Sequence, residues 1–130
     1  KVGLISATIY PIVRGVNNDP ETTLGVERFY TFMVDWLLHP IFSTTGDYPE
    51  MMKNRVKAKS IAQGFTRSRL PELSKEDIEL VKDSADFLGI NFYQGFPVEK
   101  YIAAEDEISY YDDIGMTWSY QFDDRLFERK

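Results

Sequence analysis

The chain contains no cysteine and a single histidine, His39. Without thiols there is no disulfide, no thiolate nucleophile and no sulfur-based zinc site. One imidazole cannot build a histidine-rich metal site or a histidine pair, and no metal or other cofactor is expected. Positive charge is also scarce: 15 Lys and Arg face 21 Asp and Glu, for a formal net charge of −6 and a pI near 4.8. That balance, with no basic patch interleaved with aromatics, argues against a nucleic-acid or anionic-membrane partner. No apolar run approaches the roughly 20 residues of a membrane span. The chain opens on Lys1-Val2-Gly3-Leu4, with neither Met nor a signal-peptide pattern, and reads as starting inside a structural element. It carries no repeat and no low-complexity segment.

What is present suits one ordinary domain: 130 residues, 43% hydrophobic and 15% aromatic, enough for a core and too many for a disordered chain. Val2 to Tyr10 is rich in β-branched residues and predicts a strand that Pro11 stops. Arg14 to Asn18 reads as a loop. Asp19-Pro20-Glu21 then begins a helix, with Asp19 as cap, Pro20 at the first helical position and Glu21 at the positive end of the dipole. Val26, Phe29, Tyr30, Met33, Trp36 and Leu37 follow at helical spacing as a core-facing stripe. Pro40 predicts the helix end near His39, where a helix C-terminal histidine is the simpler reading than a catalytic one. Ile41 to Tyr48 reads as a connection, and Pro49 opens a short helix through Met52 and Val56. Lys57 to Arg69 reads as a solvated basic stretch broken at Gln63-Gly64. Ser74-Lys75-Glu76-Asp77 predicts a capping box, and Ile78, Val81 and Ala85 the inner face of its helix. The segment from Glu99 to Lys130 is acidic and tyrosine-rich, with no strong period, and is expected to be loosely ordered.

Between them lies Ser84 to Tyr93, the stretch around which the rest is arranged. It predicts a buried strand whose alternation puts Phe87, Gly89, Asn91 and Tyr93 on one face and Leu88, Ile90 and Phe92 on the other. One face is apolar throughout; the other turns polar at its C-terminal end. Two readings fit that pattern: an ordinary core strand with a polar tip, or a barrel strand with a ligand site at its C-terminal mouth. Gln94 to Val98 reads as the loop that follows. The order strand, helices, strand implies a βαβ crossover. Two parallel strands cannot close a barrel, which takes eight strand–helix units and about 200 residues or more, so the predicted fold is one part of a larger α/β structure.

The residues become specific in four ordered motifs. These are Trp36-Leu37-Leu38-His39-Pro40-Ile41-Phe42, Gly46-Asp47-Tyr48-Pro49-Glu50-Met51-Met52, Ser68-Arg69-Leu70-Pro71, and Asp86-Phe87-Leu88-Gly89-Ile90-Asn91-Phe92-Tyr93. Together they resemble the middle of glycoside hydrolase family 1, the retaining β-glucosidase family, and its insect and lactase-type branch in particular. The resemblance implies an α/β fold that is a partial (β/α)8 TIM barrel, with strands 5 and 6 and the helices between them, over residues 1–115. Residues 116–130 match less well and are set apart as a C-terminal tail. The family's Asn-x-Tyr falls on Asn91 and Tyr93. Tyr93 is then expected to donate a hydrogen bond to the nucleophile carboxylate, and Asn91 to line the same mouth. Such a donor holds a carboxylate ionised and oriented for attack. Gln94 stands where the family has a small hydroxyl residue, and Asp83 where it has a common glycine.

Retaining hydrolysis needs two carboxyl groups about 5–5.5 Å apart. The family's Asn-Glu-Pro acid/base motif and its Thr/Ile-x-Glu-Asn-Gly nucleophile motif are both missing from this sequence, so no residue is assigned as catalytic. None of the acids present is expected to replace them: Glu21 and Glu27 belong to an outer helix, Asp86 opens the strand at the wrong end, and Glu105 to Asp113 read as solvated. The expectation is a fragment of a retaining β-glycosidase, inactive alone, whose parent takes a β-glucoside and whose folding needs the rest of the barrel. The alternative is a truncated or pseudoenzyme chain with a binding or structural role. Relatives of this branch imply a secreted, extracellular setting.

Overall fold

The computed structural model describes residues 1–13 and 20–118. The loop expected over Arg14 to Asn18, the Asp19 cap and positions 119–130 of the proposed tail lie outside the described residues. Strand β1 spans Gly3–Val13 and is followed by α1 (Pro20–Tyr30), a π-helical turn at Thr31–Asp35, and α2 (Trp36–Phe42). Helices α3 (Glu50–Ala62) and α4 (Lys75–Val81) lead to β2 (Phe87–Lys100), the short helix α5 (Tyr110–Ile114) and β3 (Met116–Trp118). The sheet order is β1-β2-β3. The β1–β2 pair is parallel and β2–β3 antiparallel. The α/β class and the parallel crossover are those the sequence implies.

Three prolines behave differently from expectation. Pro11 does not stop β1 but pairs with Phe96, and Pro97, expected in a loop, pairs with Ile12 inside β2. A proline whose nitrogen points away from its neighbour strand costs the ladder nothing, and edge positions permit this. β1 is an edge strand, and β3 covers β2 only from Val98 onward. Pro40 lies inside α2, which continues to Phe42. It is the fifth residue of that helix, so its missing N–H costs only the bond to the first carbonyl, next to the π-helical turn. The Phe32 carbonyl in that turn accepts a 2.5 Å hydrogen bond from the Tyr110 phenol.

The capping box forms as predicted: Asp77 N–H donates to Ser74 Oγ at 3.1 Å and Ser74 N–H to Asp77 Oδ2 at 3.0 Å. Its helix ends at Val81, four residues earlier than expected. Asp83 then takes a left-handed φ of 56° and donates its N–H to the Ile41 carbonyl at 2.8 Å. The break at Gln63-Gly64 is also present, with Gly64 at φ 85°, but α3 stays helical to Ala62, so the first part of the expected solvated stretch is helix.

The core gathers Phe29, Phe32, Met52, Val56, Val98, Ile114 and Met116. It lies between α1, the π-helical turn, α3 and the far end of β2, closed by α5 and β3. The segment expected to be loose therefore supplies two core side chains. Ser109 caps α5 by accepting from the Asp112 N–H at 3.1 Å. The two following carboxylates, expected in solvent, are buried. Lys59 pairs with Asp112, and Arg69 holds Asp113 through two parallel bonds of 3.0 and 2.5 Å. A buried carboxylate persists only when so paired. Two basic residues of the stretch expected to be solvated, Lys59 and Arg69, are thus the counterions of the acidic segment that follows β2.

Candidate functional site

The two site residues expected from sequence, Asn91 and Tyr93, lie in the middle of β2. Gly3 to Thr8 pair in unbroken register with Phe87 to Phe92, so Asn91 faces Ala7 across the ladder. The next pair is Tyr10 with Gly95. One β1 residue, Ile9, therefore stands opposite two β2 residues, Tyr93 and Gln94. This is a β-bulge, a local twist that re-aims side chains and is found beside active sites. The strict alternation that would place Asn91 and Tyr93 on one face holds through Phe92 and is interrupted at Tyr93 itself. The strand does not end there: it resumes at Gly95 and runs to Lys100. The sequence signal for the bulge was Gly95, because a glycine inside a strand marks such irregularities.

Tyr93 is 74% exposed, and Asn91 is exposed as well. Neither makes a side-chain hydrogen bond among the described residues. Their surroundings are apolar and equally bare: Ile5, Tyr10, Ile90 and Phe92 are each more than half exposed. The structure thus has two halves. Beyond the bulge, Phe96, Pro97 and Val98 are buried; before it, the ribbon of β1 and β2 carries large side chains that the core does not reach. At the start of that ribbon Asp86 clasps the two strands, accepting the Val2 N–H at 2.6 Å and donating its own N–H to the Val2 carbonyl at 2.7 Å.

No group of acidic and histidine side chains among the described residues is arranged to hold a metal. The buried acids Asp112 and Asp113 are each committed to a cation, which makes them structural groups. Sequence reasoning missed them, although Ser109-Tyr110-Tyr111-Asp112 carries the Ser-x-x-acid spacing of a helix start. His39 lies in the last turn of α2, which runs on past it to Phe42, and its Nδ1 is 2.7 Å from the Asp47 carbonyl. The Asp47 carboxyl is partly desolvated, but bonds from Lys53 and the Tyr48 N–H outweigh this and hold it below its ordinary range.

A parallel strand pair with its crossover helices, bare on the stretch that carries the expected site, is what one part of a larger sheet presents. The family model described as glycosyl hydrolase family 1 matches residues 2–126. The chain belongs to that family. Human lactase/phlorizin hydrolase is 41% identical over 78 residues, which is 58% of this chain and 4% of the human protein. The solved aphid myrosinase is 27% identical with a TM-score of 0.71, over 88% of this chain and 24% of the aphid protein. A rice β-glucosidase, solved as a mutant in covalent complex with Glc, shares the fold: TM-score 0.68, 23% identity, 89% of this chain and 22% of the rice chain. The chain spans between 4% and 22% of the length of the curated relatives it matches. The family 1 β-glycosidase resemblance read from the four motifs is therefore established.

Proposed function

We propose that this chain forms part of the active-site wall of a retaining β-glycosidase, as the fifth and sixth strands of its (β/α)8 barrel. In this reading Tyr93 donates its phenolic hydrogen to the nucleophile carboxylate, and Asn91 lines the same mouth. Both acting carboxylates come from outside this sequence. The substrate class is a β-glucoside, in keeping with the glucose held by the rice enzyme. The observation that carries the reading is the exposure of Asn91 and Tyr93 on the bare half of the ribbon, at a bulge that turns Tyr93 out of the regular ladder. A phenol buried in the core or bonded to its own backbone could not reach an external carboxylate. The apolar side chains around it, Ile5, Ile90 and Phe92, gain cover when neighbouring strands close the sheet. Until then, area that large in solvent costs about 25 cal/mol per Å², and the chain alone folds marginally.

The test is incubation of the chain at high concentration with an aryl β-glucoside. No turnover above buffer is expected, because neither Asn-Glu-Pro nor the nucleophile motif is present. Turnover that a glycosidase inhibitor abolishes would overturn the assignment of both carboxylates to other segments.

A further inference from the structure

A second polar feature lies away from the Asn91–Tyr93 ribbon. The α5–β3 corner is held by two arginines from different helices. Arg28 of α1 donates its Nε to the Ile114 carbonyl, and Arg55 of α3 donates its Nε to the Asp113 carbonyl at 3.0 Å. Both bonds use Nε, so both guanidinium ends point onward, and they converge on Gly115. A Cβ placed there would lie 3.1 Å from Arg28 Nη2 and 3.4 Å from Arg55 Nη2. Gly115 has a left-handed φ of 69° and no side chain, which lets the two guanidinium ends approach its backbone this closely. It borders a cleft of about 510 Å³ also lined by Lys59, Lys100 and Tyr101.

Neither arginine has a carboxylate partner among the described residues. Asp113 is taken by Arg69 and Asp112 by Lys59. Glu21, whose field reaches Arg28, is bridged to Lys100 at 2.9 Å, and Glu99 lies on the cleft wall with no ion pair among the described residues. Two guanidinium ends are therefore held close together and half-buried. Burial, and after it the charge of Arg55, lower the Arg28 pKa from its ordinary value. Like charges kept this close are stabilised when one oxyanion accepts from both, through short charge-assisted bonds of about 2.7–2.9 Å.

We propose that Arg28 and Arg55 form a binding site for a phosphate-class oxyanion, seated over Gly115 at the mouth of this cleft. The site is independent of the glycosidase reading and uses none of its residues. Its test is titration of the 130-residue chain with inorganic phosphate, chloride holding the ionic strength constant. The readouts are heat, the Gly115 amide resonance, and far-ultraviolet circular dichroism. Saturable binding is expected, with a shift at Gly115. Where the chain is only partly folded, the same coupling appears as a gain of helical signal with phosphate and not with chloride.

Arg55→Gln should weaken binding by about tenfold or more through the lost charged bond. It also removes the Asp113 carbonyl contact, so Gly115→Asn provides the second variant. Asn tolerates the left-handed conformation, keeps both arginines in the sequence and sets a side chain against both guanidinium ends, so it too should weaken binding. Lys53→Gln, on the other side of α3, should change nothing. Glucose 6-phosphate binding more tightly than phosphate assigns a phosphomonoester extending into the cleft, whereas equal or weaker binding assigns the free ion. No saturable response in heat, resonance or helical signal would overturn the proposal, as would the same affinity in wild type and Gly115→Asn.

Discussion

Replacing Arg69 by Met should be among the most destabilising single changes in this chain. The Asp113 side chain is 8% exposed, and Arg69, at 22%, grips it through two parallel bonds of 3.0 and 2.5 Å. Methionine fills similar space but leaves the carboxylate buried without a cation. Removing one partner of a buried pair costs about 3–5 kcal/mol. The residual exposure of Arg69 lets water in, which places the expected loss near the lower end, about 3 kcal/mol. Against a typical stability of 5–15 kcal/mol that is a large fraction. The exposed Lys100–Glu21 pair, 65% and 69% open, supplies the contrast: Lys100→Met should cost under about 0.5 kcal/mol. Urea unfolding read by tryptophan fluorescence is a suitable assay, since Trp118 packs edge-on to Phe29 at 5.8 Å and beside Tyr111 at 5.5 Å. A cycle with Asp113→Leu completes the test, because the double variant should recover much of the loss when no buried charge remains. An Arg69→Met cost no larger than that of Lys100→Met, or strict additivity in the cycle, would refute this account of the corner.

Two further outcomes follow from local geometry. Asp83 holds a φ of 56°, so Asp83→Gly should leave the urea midpoint unchanged or raise it, whereas Asp83→Val should lower stability by about 1–2 kcal/mol. Glu107 accepts from the Ser109 hydroxyl at 2.5 Å, the Tyr101 phenol at 2.8 Å and the Ala104 N–H at 3.0 Å. These bonds, that of Ser109 first, hold its pKa below the ordinary 4.5. A depressed carboxyl pKa stabilises the fold above the unfolded value and loses that contribution as pH falls through the folded one. Hydrogen exchange in the loop 101–109 should therefore accelerate below about pH 4.5, and the acceleration should vanish in Glu107→Gln.

Local chemistry was readable in the sequence wherever one residue decided the outcome. Pro20 began α1, the Ser74–Asp77 box capped α4, and Gly64 closed α3. The parallel crossover followed from the order strand, helices, strand. Failures came where partners distant in sequence decide. Pro11 and Pro97 sit in strands because of which neighbours those strands have; Pro40 is a local exception, tolerated in α2 because its missing N–H costs only the bond to the first carbonyl. Asp112 and Asp113 looked solvated because their counterions, Lys59 and Arg69, lie more than 40 residues away. The resemblance pointed to Asn91 and Tyr93, but the bulge that presents Tyr93 depends on the register between β1 and β2, which alternation alone cannot give.

The central claim is that Tyr93 orients a nucleophile carboxylate. It is tested most directly by Tyr93→Phe in a catalytically complete polypeptide that carries this sequence. Loss of one such donor should lower kcat by about 10²-fold or more. Without the phenol the nucleophile's ionised form is less stabilised, so its pKa rises and the acidic limb of the pH–rate profile moves to higher pH. A variant with both the wild-type rate and an unmoved acidic limb would contradict the account.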